Sequence, residues 1–172
     1  MSDPLVPWVA GLLDRELRGL RRELEAYPDD RLVWQAVPGL PNTAGTLALH
    51  IAGNLQHFIG AQWGGTGYRR DREAEFARRD VPRVELVAEV ERARAAVALG
   101  LARIPAEALA AEYPLVVTGA TLTTADYLIH LCVHVAYHLG QLDIHRRLVT
   151  GSGSGVGVVA PAELASARLT AE

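Results

Sequence analysis

Four stretches of the chain carry apolar residues at three- and four-residue spacing, separated by glycine- and proline-rich punctuation. That period suits helices that bury one stripe and wet the other, which constrains the chain to an all-α fold. The first stretch runs from about Pro7 to Ala26, with Trp8, Leu12, Leu13, Leu17, Leu20 and Leu24 on one side and Arg15, Arg18, Arg21 and Arg22 on the other. Tyr27-Pro28-Asp29-Asp30 ends it, and Leu32 to Pro41 reads as a connecting loop whose Trp34 docks onto the helices. The second helix begins at Asn42 or Thr43, both good N-caps, and runs to about Trp63, where Gly64, Gly65 and Gly67 stop it. The polar run from Tyr68 to Phe76 reads as a loop with a short helical turn. Asp80 before Val81-Pro82 reads as an N-cap with proline at the opening of a third helix, which reaches about Ile104. A short turn at Ala106–Ala110, an extended piece at Tyr113–Val117 and a turn at Gly119 follow. Thr123-Thr124-Ala125-Asp126 is a capping box with Asp in the Glu position. The fourth helix then spans about Thr124 to Val149, with Gly151 as its C-terminal stop.

Four such helices in 172 residues describe one domain, a four-helix bundle with long connecting loops over residues 1–150. Residues 151–172 read as a Gly/Ser-rich flexible tail in which Ala160 to Leu169 forms a short helix. A net charge of −3 and a pI of about 6.1 leave no basic surface for phosphate neutralisation, so a nucleic-acid partner is not expected. No apolar run is long enough to span a bilayer, and the start carries Asp3 and prolines instead of a basic signal segment. The single Cys132 cannot form an internal disulfide, so the expected location is cytoplasmic. All 17 basic residues are arginine, which excludes Schiff-base, pyridoxal-lysine and P-loop chemistry, since each needs a lysine amine.

The placement of the six histidines is the functional signal. His50 and His57 lie on the second helix; His130, His134, His138 and His145 lie on the fourth. At ~100° per residue, the four on the fourth helix and Gln141 fall within an arc of about 80°. Imidazoles at i and i+4 can bind one metal ion, and both His130-x3-His134 and His134-x3-His138 have that spacing. A further ligand must come from another element, and His50 is the best-placed candidate; Gly53, one turn on, lets a neighbouring group approach closely. His57 reads as a supporting or surface residue. His145, near the helix C-terminus, is explained by attraction to the helix dipole when protonated.

The segments Asn42-Thr43, Thr46 to Leu55 and His130-Leu131-Cys132-Val133-His134-Val135-Ala136-Tyr137-His138-Leu139-Gly140-Gln141-Leu142 resemble the DinB/YfiT-like superfamily of four-helix-bundle metalloproteins. The likeness in pattern covers about Leu5 to Val149. It implies an up-down-down-up bundle, often a homodimer, holding a divalent ion through His50, His134 and His138. The position of Leu139-Gly140-Gln141 sets His130 aside, because the family's last ligand sits just before x-Gly-Gln. Zinc or nickel is the implied ion. Some relatives are transferases or isomerases that use a low-molecular-weight thiol such as mycothiol or bacillithiol. The loop Arg70 to Phe76 resembles an uncharacterised branch.

A three-histidine site with an open position can activate bound water, giving a hydrolase, or bind a thiolate, giving a thiol S-transferase. Either acts on a small-molecule substrate and needs a proton acceptor. No Asp or Glu lies on the ligand face between residues 127 and 142, so His130 and Gln141 are the catalytic candidates. Asn54 can support a ligand, while Tyr137 reads as packing and Cys132 as a small buried group opposite the histidines. The arginines of Arg69-Arg70-Asp71-Arg72-Glu73 either hold a substrate anion or, more in keeping with such mixed-sign runs, pair with neighbouring acids. The alternative to an enzyme is a non-catalytic metal-binding or stress-response bundle, in which a fourth protein ligand closes the site.

Overall fold

The computed structural model describes residues 5–164 and 166–168. Helices form at Leu5–Glu25 (α1), Asp30–Val33 (α2), Ala44–Leu55 (α3), Arg72–Ala77 (α4), Arg83–Leu101 (α5) and Thr124–Thr150 (α6). The four long ones make the bundle. α1 packs against α5 and α6, and α3 packs against the same two from the other side. Leu13, Leu17, Leu20 and Leu24 of α1, Leu47 and Ile51 of α3, Leu86 and Val90 of α5, and Leu128, Leu131, Val135 and Leu139 of α6 fill the centre. Those positions are the apolar stripes of the sequence, so the expected all-α bundle is what forms.

The expected caps hold α3 and α6. Thr43 Oγ1 accepts from Thr46 N at 3.3 Å, Thr123 Oγ1 accepts from Asp126 N at 3.3 Å, and Gly151 ends α6 in the left-handed region at φ 68°. Trp34 docks as expected. Its Nε1 donates to the Val81 carbonyl at 3.0 Å, and its ring lies over Gly45, where a Cβ would come within 2.6 Å of the indole.

Three local expectations are corrected. Asp80 does not cap α5; it adopts φ 55°, and the Arg83 amide instead donates to Asp30 Oδ2 at 3.0 Å, so the cap comes from α2 across the loop. The second bundle helix is not α-helical to Trp63: Gln56–Ala61 is a π segment. The backbone of Gly100 on α5 approaches it closely, with the Ile59 carbonyl 2.5 Å from where a Cβ at Gly100 would sit. The Tyr113 hydroxyl donates to the Phe58 carbonyl, satisfying a group of the widened turn. Third, His145 is fully buried and makes two neutral hydrogen bonds. Its Nε2–H donates to the Gln35 carbonyl at 2.8 Å, and its Nδ1 accepts from the Tyr27 hydroxyl at 2.8 Å. Burial lowers its pKa against the opposing pull of the Gln35 carbonyl, so a charged imidazole at the helix dipole is not its role.

After α6 the chain returns along the bundle. Arg146 donates to the Ser154 carbonyl at 2.9 Å, and Arg22 donates to the carbonyls of Val156 and Gly157 at 3.0 and 2.9 Å. Of the short helix expected over Ala160–Leu169, Pro161–Glu163 forms a 3-10 turn, and Ala165 and Leu169 lie outside the described residues.

Arg146 is also the partner of Glu23, and both are buried. Breaking such a pair strands a charge in the core, at a cost of about 3–5 kcal/mol. Arg146→Ala is therefore expected to lower stability by about that amount in urea titration, while Glu23→Gln/Arg146→Met recovers most of the loss. Equal stability of the two variants would mean that Glu23 finds water.

Candidate metal centre

His50 reaches the site from the middle of α3, and His134 and His138 reach it from successive turns of α6. His50 Nε2 lies 3.3 Å from His134 Nε2, and His138 Nε2 lies 3.2 Å from the same atom. Two nitrogens bound to one tetrahedral ion at about 2.0–2.1 Å stand roughly 3.3 Å apart, so the spacing suits a shared cation. Among the described residues, the group of ligand-type side chains that could hold an ion here consists of these three.

The outer ring nitrogens explain why the inner ones converge. His50 Nδ1 donates to Glu75 Oε2 at 3.0 Å, and His138 Nδ1 donates to Gln141 Oε1 at 2.8 Å. Each neutral imidazole carries one N–H. With those protons placed outward, the inner nitrogens of His50 and His138 both present lone pairs. A single proton on His134 Nε2 can serve only one of them. The cluster is short of donors at its centre, and a cation makes good that shortage. The donor set thus fits a divalent ion of the zinc or nickel type.

Glu75 fixes His50 and is itself fixed. Arg70 Nε donates to Glu75 Oε1 at 2.7 Å, and an Arg70 terminal nitrogen donates to Oε2 at 2.8 Å, a two-pronged clamp. Burial works to raise the Glu75 carboxyl pKa, but the hydrogen bonds from Arg70 and His50 outweigh it and hold the group below its ordinary range. The carboxylate stays charged. Asp71 Oδ1 caps α4 by accepting from Ala74 N at 2.9 Å, and that turn aims Glu75 inward. Gly53 makes room: a Cβ there would collide with a Glu75 oxygen and lie 2.9 Å from its Cδ. A carboxylate behind a histidine in this way orients the ring and raises its basicity toward a metal.

The other side chains are arranged around this core. Phe76 packs on the His50 ring at 4.9 Å between centroids, and Arg72 stacks on Phe76 at 4.9 Å. His130 is exposed, its ring stacked on Tyr127 at 5.7 Å and 6.1 Å from the ring of His134. His57 packs on Phe58 at 4.7 Å, outside the group of three. Asn54 is buried with no hydrogen-bond partner for Oδ1 among the described residues. Cys132 is half-buried, and burial pushes its thiol up to about 11, so it is no nucleophile at neutral pH. The arginine loop resolves into separate tasks: Arg70 holds Glu75, Arg72 covers Phe76, and Arg69 helps line a cleft of about 230 Å³ that borders Glu75.

Glu75 is the functional residue that the sequence reading passed over, whereas the favoured reading of the arginine run, pairing with neighbouring acids, holds for Arg70. The histidine face of α6 carries no carboxylate between residues 127 and 142, whereas this one comes from a short helix after α3. The available signal was Asp71 as a cap with Glu75 four residues on, beside a glycine one turn after His50.

An all-α bundle whose second and fourth long helices bring three histidines together is the architecture of the DinB/YfiT-like proteins, and this chain is one of them. Within that group it belongs to the mycothiol-S-transferase family, whose model matches residues 9–151. Neither a curated protein nor a solved structure matches the chain.

Two outcomes follow from the site's physics. Burial first, then the neighbouring His138, His50 and His130 and the Arg70 charge, lower the His134 pKa to about 4. In the unfolded chain a histidine titrates near 6.5. The metal-free protein should therefore keep its full stability above about pH 6.5 and lose part of it as the pH falls toward 4, since the unfolded state takes up the proton first. Urea titrations of the apoprotein at several pH values measure this, and His134→Gln should flatten the acid limb. Separately, Gly53→Ala should displace Glu75 and weaken metal affinity by about 10- to 100-fold, measured by competition with a chelating dye. An unchanged affinity would show that Glu75 does not act through His50.

Proposed function

We propose that the protein is a divalent-metal-dependent thiol S-transferase in which His50, His134 and His138 hold the ion, zinc or nickel by donor type. The nucleophile is a low-molecular-weight thiol, mycothiol or a related compound, and the acceptor is a small electrophile. The observation that carries this reading is the convergence of three inner imidazole nitrogens, with the outer nitrogens of His50 and His138 engaged by Glu75 and Gln141. The family match supports the thiol as co-substrate.

When bound, the ion supplies Lewis acidity at its open position and stabilises a thiolate at neutral pH. The protein's own groups do the rest. Glu75 and Gln141 keep the His50 and His138 rings turned with their lone pairs inward. Low pKa values keep His134 and His138 neutral and ready to ligate, burial being the main cause in both. His130, exposed beside His134, would accept the proton that the thiol loses on becoming the thiolate, and return it to the leaving group or to solvent once the sulfur–carbon bond has formed and the carbon–leaving-group bond has broken.

The choice of thiol over water has a physical reason. Water in a metal site is commonly activated with the help of a carboxylate base. The carboxylate that touches this cluster, Glu75, has both oxygens taken by Arg70 and His50. A thiol, with its pKa near 8.5, needs far less help. A reduced cytoplasm, which keeps such thiols in supply, is the location that fits the reaction.

Metal content by mass spectrometry of the untagged protein tests the site. About one equivalent is expected, lost in His50→Ala and His134→Ala without loss of far-UV helix signal. With the ion in place, loss of free mycothiol in the presence of a haloalkyl electrophile should run well above the metal-free control. His130→Ala should retain the ion and lose about 10²- to 10⁴-fold in kcat. Bound metal with no acceleration for mycothiol, bacillithiol or cysteine would overturn the transferase reading and leave a non-catalytic metal-binding bundle.

A further inference from the structure

The contacts around the histidines close into a circuit. Arg70 lies over the Phe58 ring at 5.5 Å, Phe58 meets Tyr127 at 5.2 Å, and Tyr127 stacks on His130 at 5.7 Å. The His130 ring lies 6.1 Å from that of His134, and His134 lies 5.2 Å from His50. An Arg70 terminal nitrogen 3.3 Å from His50 Nδ1 completes the round. α3 and its π continuation supply His50 and Phe58, α6 supplies Tyr127, His130 and His134, and Arg70 bridges from the loop. The pairs His50–His134 and Phe58–Tyr127 are thus the two ends of one stretch of the α3–α6 seam. Eight residues separate His50 from Phe58, roughly 10–12 Å at helical rise. A ligand of a few heavy atoms matches that span.

Two polar groups on this stretch are unspent. Arg70 is only 12 % exposed, and its Nε and one terminal nitrogen are given to Glu75. A guanidinium carries five N–H donors, and the two on Nη1 meet no acceptor among the described residues. Asn54 stands on α3 between His50 and Phe58. It is 7 % exposed, and its Oδ1 is buried without a partner among the described residues. A buried amide that bonds nothing costs stability and calls for a partner from outside the chain. A half-turn of the group presents its NH2 where the oxygen stands. Charge balance gives the sign of that partner. Glu75 offsets Arg70, and imidazole ligands are neutral, so a divalent ion brings two positive charges that no ligand carboxylate meets. A thiolate meets one of them, and a carboxylate on the co-substrate meets the other.

We propose that this stretch of the seam seats the acceptor, a small carboxylic acid whose electrophilic carbon lies one or two bonds from its carboxylate. The carboxylate accepts from Arg70 Nη1 and from the Asn54 amide, and the electrophilic carbon lies toward the histidines. Chloroacetate is the simplest case. The thiolate lone pair forms the sulfur–carbon bond, the carbon–chlorine bond breaks, and chloride leaves with that bond's electron pair. Arg70 then has two tasks, one edge holding Glu75 and the free nitrogen holding substrate. The acceptor's role rests on the transferase reading, whereas the seat for a carboxylate does not.

Propionate, with a methyl group in place of the chlorine, is the unreactive probe. Metal-free, isotope-labelled protein is used, so that no ion can take up the carboxylate. Propionate at millimolar concentration should shift the Arg70 Nε–H and Asn54 side-chain NH2 signals saturably. Propionamide, neutral and of the same shape, should bind at least tenfold more weakly. Asn54→Leu should abolish the preference, read at Arg70 Nε–H, while raising the urea midpoint, because it removes an unpartnered amide. An amide with a structural role alone would cost stability when lost. With the ion bound, mycothiol consumption corrected for the uncatalysed rate should favour chloroacetate over chloroacetamide at least tenfold in kcat/KM. Asn54→Leu should remove that preference too, at unchanged metal content. Equal binding of propionate and propionamide, a preference that survives Asn54→Leu, or turnover of both chloro compounds without preference would each overturn the seat. Turnover of neither, with propionate still bound selectively, would overturn the transferase reading alone.

Discussion

A charged carboxylate buried beside an imidazole sets the terms for the functional end of this bundle. Glu75 sits between Arg70 and His50, and a carboxylate in a dry place persists only when its oxygens are fully occupied. That requirement reaches back through the chain. The close approach needs a residue without a side chain at 53, and aiming the group needs α4, a helix too short to hold itself without the Asp71 cap. The result reaches forward too. With the His50 proton drawn toward Glu75, the other nitrogen of the ring is committed as a lone pair facing α6. Gln141 does the same for His138 with a neutral oxygen. One ring is thus held by a charge and the other by an amide, although they face the same point.

Much of this was readable in the order of residues, and the limits of that reading have physical reasons. Apolar periods and caps such as Thr43 and Thr123 are local, and the helices they specify form where expected. His50, His134 and His138 were legible because spacing on a helix fixes direction, and the resemblance to a known family chose among the open combinations. Glu75 was not, since its meeting with His50 depends on how a loop folds back over α3. Asp80 illustrates the same limit. It has the residue type and position of a cap, but the loop supplies Asp30 to the same amide from a distance in sequence. The π segment has no residue signature of its own; it lies where Gly100 of α5 approaches Ile59. His145 showed a position suited to charge and an environment that forbids it.

Metal chemistry and helix packing meet on α6. One helix supplies two of the three converging imidazoles and a share of the core, so its rotation about its own axis is constrained by both. Arg146 and Arg147 lock its last turns, the first to Glu23 in the core and both to Asp143. A rotation of even 20° would move the imidazole nitrogens relative to His50 by more than an ångström, since they lie well outside the helix radius. Rigidity of this kind is what a preorganised site requires of its scaffold.

The burial of Cys132 acquires a further meaning on the transferase reading. Reagents that alkylate a small thiol also alkylate cysteine thiolates and lysine amines. This chain has no lysine, its arginines stay protonated at neutral pH, and the pKa of its single thiol is pushed up to about 11 by burial. At pH 7 that thiol is ionised in roughly one molecule in ten thousand. On the transferase reading, the protein brings reactive carbon to a nucleophile while offering neither a lysine amine nor a populated cysteine thiolate as a competing target. Resistance to alkylation at cysteine and lysine is then a property of its composition and of one side chain's depth.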